Sequence, residues 1–337
     1  MRKYWIGIDV SKETLDLTLL TSKGVVMAQE CINNSRSSLR SLWSRWKKEF
    51  KLKAEQVLIC LEPTGHYSYV VLFTLDELGL ATWQAHPTDI QKSIGTTRGK
   101  TDKIDSYRIA DYARRFNDRS RLITKEYLRT LKLKQLITRR EALVKRKLMH
   151  ETYLRDLNHY IDKDIKEECV NMDTEQLVLI KAHIKKVEQL IKKFIYANPQ
   201  WRKQYDLLLT VDGVAEVGAS HLIAITEGFT RFTDPRELAC HAGYAPFPHT
   251  SGSSIRGKTS TSKQSHKGLK TVLHMGAKSV IQRKGELQDY YLRKVAQGKK
   301  KISVLHAVAN KIIHRVCAVI ARGTPYIGHK TMKASYT

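Results

Sequence analysis

The spacing of apolar residues changes character along the chain, and each change predicts a different kind of element. In the first 117 residues, short apolar runs at 4–9, 15–20 and 25–30 are separated by turn residues such as Ser22-Lys23-Gly24. That pattern predicts three strands joined by tight turns. A polar amphipathic segment at 37–50, a strand at 57–62, a helix over 67–78, a short strand near 82–86 and a helix from 101 to 116 follow. Three antiparallel-looking strands followed by strand–helix alternation predict a mixed sheet covered by helices.

Beyond that point the period is helical. Leu177, Ile180, Ile184, Val187, Ile191 and Phe194 step by three and four, the a/d spacing of a coiled-coil seam. A looser stripe over 126–160 includes Leu136, Leu143, Leu154 and Leu157, and the polar stretch 161–173 is expected to form the hairpin turn. So short a seam suits a hairpin within one chain as well as an arm that pairs protomers. Asn198-Pro199 ends the second helix, and a compact C-terminal unit is expected from Trp201. Thr210-Val211-Asp212-Gly213-Val214-Ala215-Glu216-Val217-Gly218 resembles the turn of a helix-hairpin-helix, whose backbone amides can hold a DNA phosphate. Asp212 stands where Pro is more usual, and an ordinary interhelix turn fits the same residues. Residues 234–243 and 264–320 read as mostly helical, and Gly323 onward as a loose tail. The expected divisions are 1–120, 121–200, 201–325 and a tail at 326–337.

Charge narrows the choice of partners. Lys and Arg number 59 against 33 Asp and Glu, a formal charge of +26. Residues 251–337 carry 18 of those bases and only two acids, Glu286 and Asp289, so a quarter of the chain holds most of the excess. Such self-repulsion favours a polyanionic partner, and nucleic acid is the simplest one. The five cysteines lack CxxC or Cys/His ligand spacing, which predicts reduced thiols and no zinc site. No leader opens the sequence, and charges break residues 207–226, so a soluble cytoplasmic protein without a membrane partner is expected.

Two sets of residues carry candidate chemistry. Asp9 ends the run Tyr4-Trp5-Ile6-Gly7-Ile8-Asp9, and Glu62 ends Val57-Leu58-Ile59-Cys60-Leu61-Glu62. Asp102 and Asp105, in Lys100-Thr101-Asp102-Lys103-Ile104-Asp105, share one helix face. Singly these acids suit turns and helix N-termini. Together, two strand-end carboxylates and a helical pair can converge at one sheet edge as hard oxygen ligands for Mg2+ or Mn2+. The second set, His249-Thr250-Ser251-Gly252-Ser253-Ser254-Ile255-Arg256-Gly257-Lys258, reads as a small basic loop. A serine there could attack phosphorus with help from Arg256, Lys258 and Lys263. A Gly/Ser loop that only contacts phosphates fits the same composition, which does not choose among Ser251, Ser253, Ser254, Ser260 and Ser262.

With these motifs in order, the chain resembles the DEDD transposases of insertion-sequence family 110, relatives of the Piv site-specific invertases. Gly7-Ile8-Asp9-Val10-Ser11-Lys12, Glu62-Pro63-Thr64-Gly65-His66-Tyr67 and the Asp102/Asp105 segment look like the family's RuvC-type carboxylate motifs. Ala242-Gly243-Tyr244-Ala245-Pro246, Ser251-Gly252-Ser253-Ser254, Ser262-Lys263 and Gly268-Leu269-Lys270 look like its transposase domain. Two positions depart from the pattern: Ser265 replaces a usual Gly, and Lys270 replaces a usual Arg, losing a bidentate phosphate fork while keeping the charge.

The resemblance implies an α/β plus α architecture: a RuvC-like ribonuclease-H-fold domain, a central coiled-coil hairpin and a mainly helical transposase domain. It implies metal ligation by Asp9, Glu62, Asp102 and Asp105, and Ser251 as the nucleophile. The implied partners are donor and target DNA, a structured non-coding guide called a bridge RNA, and further copies of the chain as a homodimer or homotetramer. The setting would be the nucleoid of a bacterial or archaeal cell. Arg98, Lys100, Arg114, Arg115, Arg256, Lys258, Lys263, Lys267 and Lys270 are expected to line nucleic acid. Two alternatives differ in kind. One is a Holliday-junction-type nuclease using metal-activated water, for which Ser251 is dispensable. The other is a non-catalytic nucleic-acid chaperone whose carboxylates are structural.

Overall fold

The structure, a computed structural model, describes residues 2–94, 102–157, 162–232, 234–251, 255–261 and 265–328. Of residues 94, 102, 247–251 and 255–260 it describes the backbone only. The chain divides into two compact units, Met1–Arg129 and Thr130–Thr337.

The first unit is built on a five-stranded sheet. Strands β1 (Tyr4–Val10), β2 (Thr14–Thr21) and β3 (Val26–Asn33) form an antiparallel meander, while β4 (Val57–Leu61) and β5 (Thr82–Gln84) run parallel to β1, giving the order β3-β2-β1-β4-β5. This is the mixed sheet expected from the strand order. Central β1 and β4 read as nearly unbroken apolar runs because both of their faces are covered. Around the sheet lie α1 (Arg36–Glu49), α2 (Ser68–Glu77), α3 (Pro87–Ile94) and α4 (Asp102–Arg115). Ser35 caps α1 by accepting from Ser38 N, and Trp46 on α1 donates to Glu30 on β3 at 2.7 Å. Glu30 shares a face with Leu17 and Ile8, so α1 covers that side. The opposite side, with Trp5, Leu58, Cys60 and Trp83, packs on α3 and α4 through Ile90, Ile109, Tyr112 and Ala113. Helix α3 was not anticipated, since its eight residues are too few to establish a period.

In the second unit α5 (Lys125–Asp156), which starts in the first, and α6 (Lys163–Tyr196) are long helices. The pairs Arg140–Glu188 at 2.7 Å and His150–Asp173 at 2.5 Å show that they run antiparallel, since one number falls as the other rises. The expected turn at 161–173 is a correction: α6 already starts at Lys163, where Asp162 caps it by accepting from Asp164 N. Polar composition there marks exposed helix, not loop. Leu177, Ile180 and Ile191 are buried on the seam. Leu133, Ile137, Ile191 and Ile195 join the same core as α7 (Pro199–Leu209), α8 (Glu216–Thr226), α9 (Pro235–Ala242), α10 (Lys267–Val280), α11 (Glu286–Ala296) and α12 (Lys301–Arg322). Helix α12 is long and apolar enough to cross a membrane by composition, but its apolar stripe of Leu305, Val308, Ile312, Val316 and Val319 is buried among these helices.

The 210–218 turn is explained by packing. Gly213 takes φ +88°, and a Cβ on Gly276 of α10 would sit 2.2 Å from Gly213 O. Exposed Asp212 and Glu216 flank the turn, a charge that opposes a phosphate. A second correction concerns the tail. Tyr326 N donates to Thr210 Oγ1 at 2.8 Å and Arg315 stacks over its ring, so the chain is still anchored three residues past the Gly323 cap. A third concerns the segment read as a basic loop. Its described parts are two paired strands, β6 (Pro246–Ser251) and β7 (Ile255–Thr261). Gly and Ser outweighed the β-branched Thr250, Ile255, Thr259 and Thr261 in the sequence reading, although the latter favour a pleated ribbon.

Candidate active site

Asp9 and Glu62 are neighbours by construction. The parallel register pairs Ile8 of β1 with Leu61 of β4, so the next residues, Asp9 and Glu62, emerge side by side at the carboxyl ends of two central strands. Both are half-buried. Loops and ligands gather at this end of a parallel sheet, because backbone pairing stops there and side chains are released together.

Helix α4 crosses the same face at very short range. A Cβ on Gly7 would lie 2.1 Å from Ser106 O and 2.3 Å from Ala110 N, so only glycine permits the approach. Thr18 and Ser106 hydrogen-bond at 2.8 Å between buried hydroxyls, and Gln29 donates to Lys103 O at 2.7 Å and to Thr18 Oγ1 at 3.0 Å. These bonds pin the first turn of α4 on the meander. Asp105 lies on the turn that abuts Gly7, half-buried, with Arg108 donating to its Oδ1 at 3.1 Å. Asp102 opens α4, but its side chain lies outside the described residues. Among the described residues no three His, Cys, Asp or Glu side chains gather closely enough to hold an ion on their own. The candidate donors are all carboxylate oxygens, the ligand type that a hard divalent cation takes.

Apart from Arg114 and Arg115 on α4, the other predicted residues are in the second unit or outside the described residues. Ser251 ends β6, paired with Ile255, and Arg256 pairs with Thr250 one step on. Lys258 is on β7. Lys267 and Lys270 lie in the first turn of α10, Lys267 exposed and Lys270 half-buried with its carbonyl accepting from Tyr244 Oη at 2.7 Å. Arg98, Lys100, Lys263, Ser253 and Ser254 fall outside the described residues. Arg114 and Arg115 are engaged with Asp111 on α4.

Two groups escaped the sequence reading. Asp16 is a carboxylate only 7% exposed on β2, directly opposite Asp9. It sits between two leucines in a run already assigned to a strand, and only the register reveals its neighbour. The second group is histidines of the C-terminal unit. Burial, then the charges of His266 and Arg140, lowers His221 to about 4. Burial, followed by Arg231, His266 and Lys134, lowers His241 to about 4 as well. His266 caps α10 by accepting from Leu269 N, and its own pKa is lowered chiefly by burial.

Comparison with known proteins places these features in context. Residues 6–157 match the DEDD transposase profile of IS110, and residues 205–292 match that of the transposase IS116/IS110/IS902 family. Over 335 residues the chain is 26% identical to the pilin gene-inverting protein of Moraxella lacunata, covering 97% of this chain and 98% of the relative. The Moraxella bovis protein of the same name is 25% identical over the same span. Among solved structures, T. thermophilus RuvC in complex with a Holliday junction substrate aligns with a TM-score of 0.28 and 12% identity, over 36% of this chain and 100% of that one.

Proposed function

The chain belongs to the IS110 family of DEDD transposases, a class of DNA recombinases, and from that premise we propose that it is a bridge-RNA-guided recombinase of an insertion sequence acting through a phosphoserine intermediate. The observation that carries the reading is the juxtaposition of Asp9 and Glu62 at adjacent strand ends under the Asp105 turn of α4. Mg2+ or Mn2+ held by Asp9, Glu62, Asp102 and Asp105 would supply Lewis-acid stabilisation of charge at the scissile phosphate. Arg108 holds Asp105 toward its helix and limits where that carboxylate can reach.

In this reading Ser251 loses its hydroxyl proton as its Oγ bonds to phosphorus, and one backbone P–O bond breaks. The departing deoxyribose oxygen takes up a proton. After strand exchange a free deoxyribose hydroxyl attacks the phosphoserine, restoring a P–O backbone bond and the serine hydroxyl. One phosphoester replaces another at each step, so no nucleotide cofactor is consumed. Arg98, Lys100, Arg256, Lys258, Lys263, Lys267 and Lys270 would neutralise phosphates of donor DNA, target DNA and the guide RNA.

Residues 1–120 would hold the metal, 121–200 would pair protomers as a coiled coil, and 201–325 would present Ser251. A homodimer or homotetramer would build each site from two protomers, at the nucleoid of its host cell. Covalent trapping tests the reading. The full chain, element DNA, its RNA and Mg2+ are incubated, then denatured. A protein–DNA adduct lost in both Ser251→Ala and Asp102→Ala supports it. Cleavage without an adduct, undiminished in Ser251→Ala, establishes hydrolysis by metal-activated water instead. Chelator-insensitive binding with no strand cutting establishes a chaperone.

A further inference from the structure

A fifth acidic residue lies beside the candidate carboxylates. Asp16 pairs with Asp9 across β1 and β2, so the two side chains leave the same face, with Cβ atoms roughly 5 Å apart. Like charges directly opposite destabilise a strand pair. Asp16 is also 93% buried, where an uncompensated carboxylate is costly. Its surroundings do little to offset that cost. Among the described residues it makes no ion pair, and its one hydrogen bond comes from the Cys31 thiol, a weak donor, at 3.6 Å. Cys31 is its register partner on β3, so Asp9, Asp16 and Cys31 form a row across the meander. Thr18, the next residue of β2 on this face, hydrogen-bonds the Ser106 hydroxyl and accepts from Gln29 Nε2. Fold stability alone would favour an uncharged residue at position 16.

From this juxtaposition we propose that Asp16 is a positioning residue of the metal centre: its buried charge faces Asp9 and is compensated when a divalent cation binds there. It supports the cation through the field across the strand pair and need not touch it. The inference rests on the reading of Asp9 as a ligand. A unit charge held about 6 Å from a divalent ion contributes at least about tenfold in affinity even with water-like screening.

The test is Mn2+ binding to the metal-free full chain by calorimetry, with thermal unfolding measured in chelator and in saturating Mn2+. Asp16→Asn, which keeps the acceptor for Cys31, is expected to weaken Mn2+ binding about tenfold or more. It should melt at or above the wild-type temperature in chelator and gain less from Mn2+. Cys31→Ala, which leaves the charge in place, should keep wild-type Mn2+ affinity. Asp9→Asn should lose binding. Wild-type affinity in Asp16→Asn, with binding lost in Asp9→Asn, overturns the inference and leaves the four-carboxylate reading intact. Wild-type affinity in both variants overturns both. Equal weakening by Cys31→Ala and Asp16→Asn, with both less stable in chelator, makes Asp16 a purely structural acceptor and also overturns it. Should Asp16→Asn fail to fold, Asp16→Ser in the same assays decides by the same outcomes.

Discussion

Gly7→Ala is the sharpest probe of how the fold builds the site. On local grounds the change should help, because alanine in a strand interior is favoured over glycine by roughly 0.5–1 kcal/mol. Tertiary structure reverses the sign. The new Cβ would lie 2.1 Å from Ser106 O and 2.3 Å from Ala110 N, whereas contacts below 3.0 Å are essentially never seen. Both atoms are helix backbone and cannot swing away, so α4 must lift by at least about 0.9 Å, the difference between 3.0 and 2.1 Å. Overpacking of this kind costs about 1–3 kcal/mol, and straining the buried Thr18–Ser106 bond adds about 1. After the local gain, a net loss of about 1–3.5 kcal/mol remains, or on the order of 10 °C in the melting of the N-terminal unit. The lift also carries Asp105 away from Asp9 and Glu62. A displacement near 1 Å in a catalytic constellation can reduce the rate by about 10²-fold. Scanning calorimetry and strand-cleavage assays on the full chain measure both effects. Wild-type melting together with wild-type cleavage would falsify the claim that α4 is seated on β1 through this glycine.

The remaining predictions concern other parts of the molecule. Thr18→Val leaves Ser106 Oγ without its β2 partner in a buried site, though Lys103 O still accepts from it, and is expected to destabilise by about 1–2 kcal/mol in denaturant titrations; an unchanged midpoint refutes it. Buried His221 and half-buried His241, each lowered to about 4, stay neutral in the folded chain while an unfolded histidine protonates near 6.5. The unfolded state therefore binds more protons between those values, so the contribution of these two histidines to stability should fall as pH drops from 6.5 toward 4 and be constant below. His221 contributes roughly 3 kcal/mol at most, and in His221→Asn the fall should be visibly shallower. Lys267→Ala, on the exposed first turn of α10, should weaken DNA binding uniformly across sequences and reduce the salt slope by about 1. A slope unchanged over a range of salt concentrations removes Lys267 from the interface.

Much of the framework is legible in the sequence alone. The apolar runs ending at Asp9 and Glu62 marked strands, because central parallel strands are buried on both faces and must be apolar throughout. The a/d spacing of Leu177 to Phe194 marked a long helix for a similarly local reason. Candidate ligands were identified as strand-end and helix-start carboxylates, again from neighbours in the chain. What escaped depends on how separate segments pair, whether they are near or far along the chain. The hairpin of β6 and β7 was hidden because Gly and Ser describe a loop equally well, and its partner strand must be known before either reads as sheet. Asp16 reads as one polar residue between Leu15 and Leu17, and nothing within six residues says that it lies opposite Asp9. Gly7 reads as a break in an apolar run, and only α4, a hundred residues later, supplies the contact that requires it. Periodicity and composition are properties of short segments, so the sequence determines by itself which elements form and which faces are apolar. Register, close approach and the meeting of charges are properties of pairs of segments, so only the tertiary structure decides which side chains share the site.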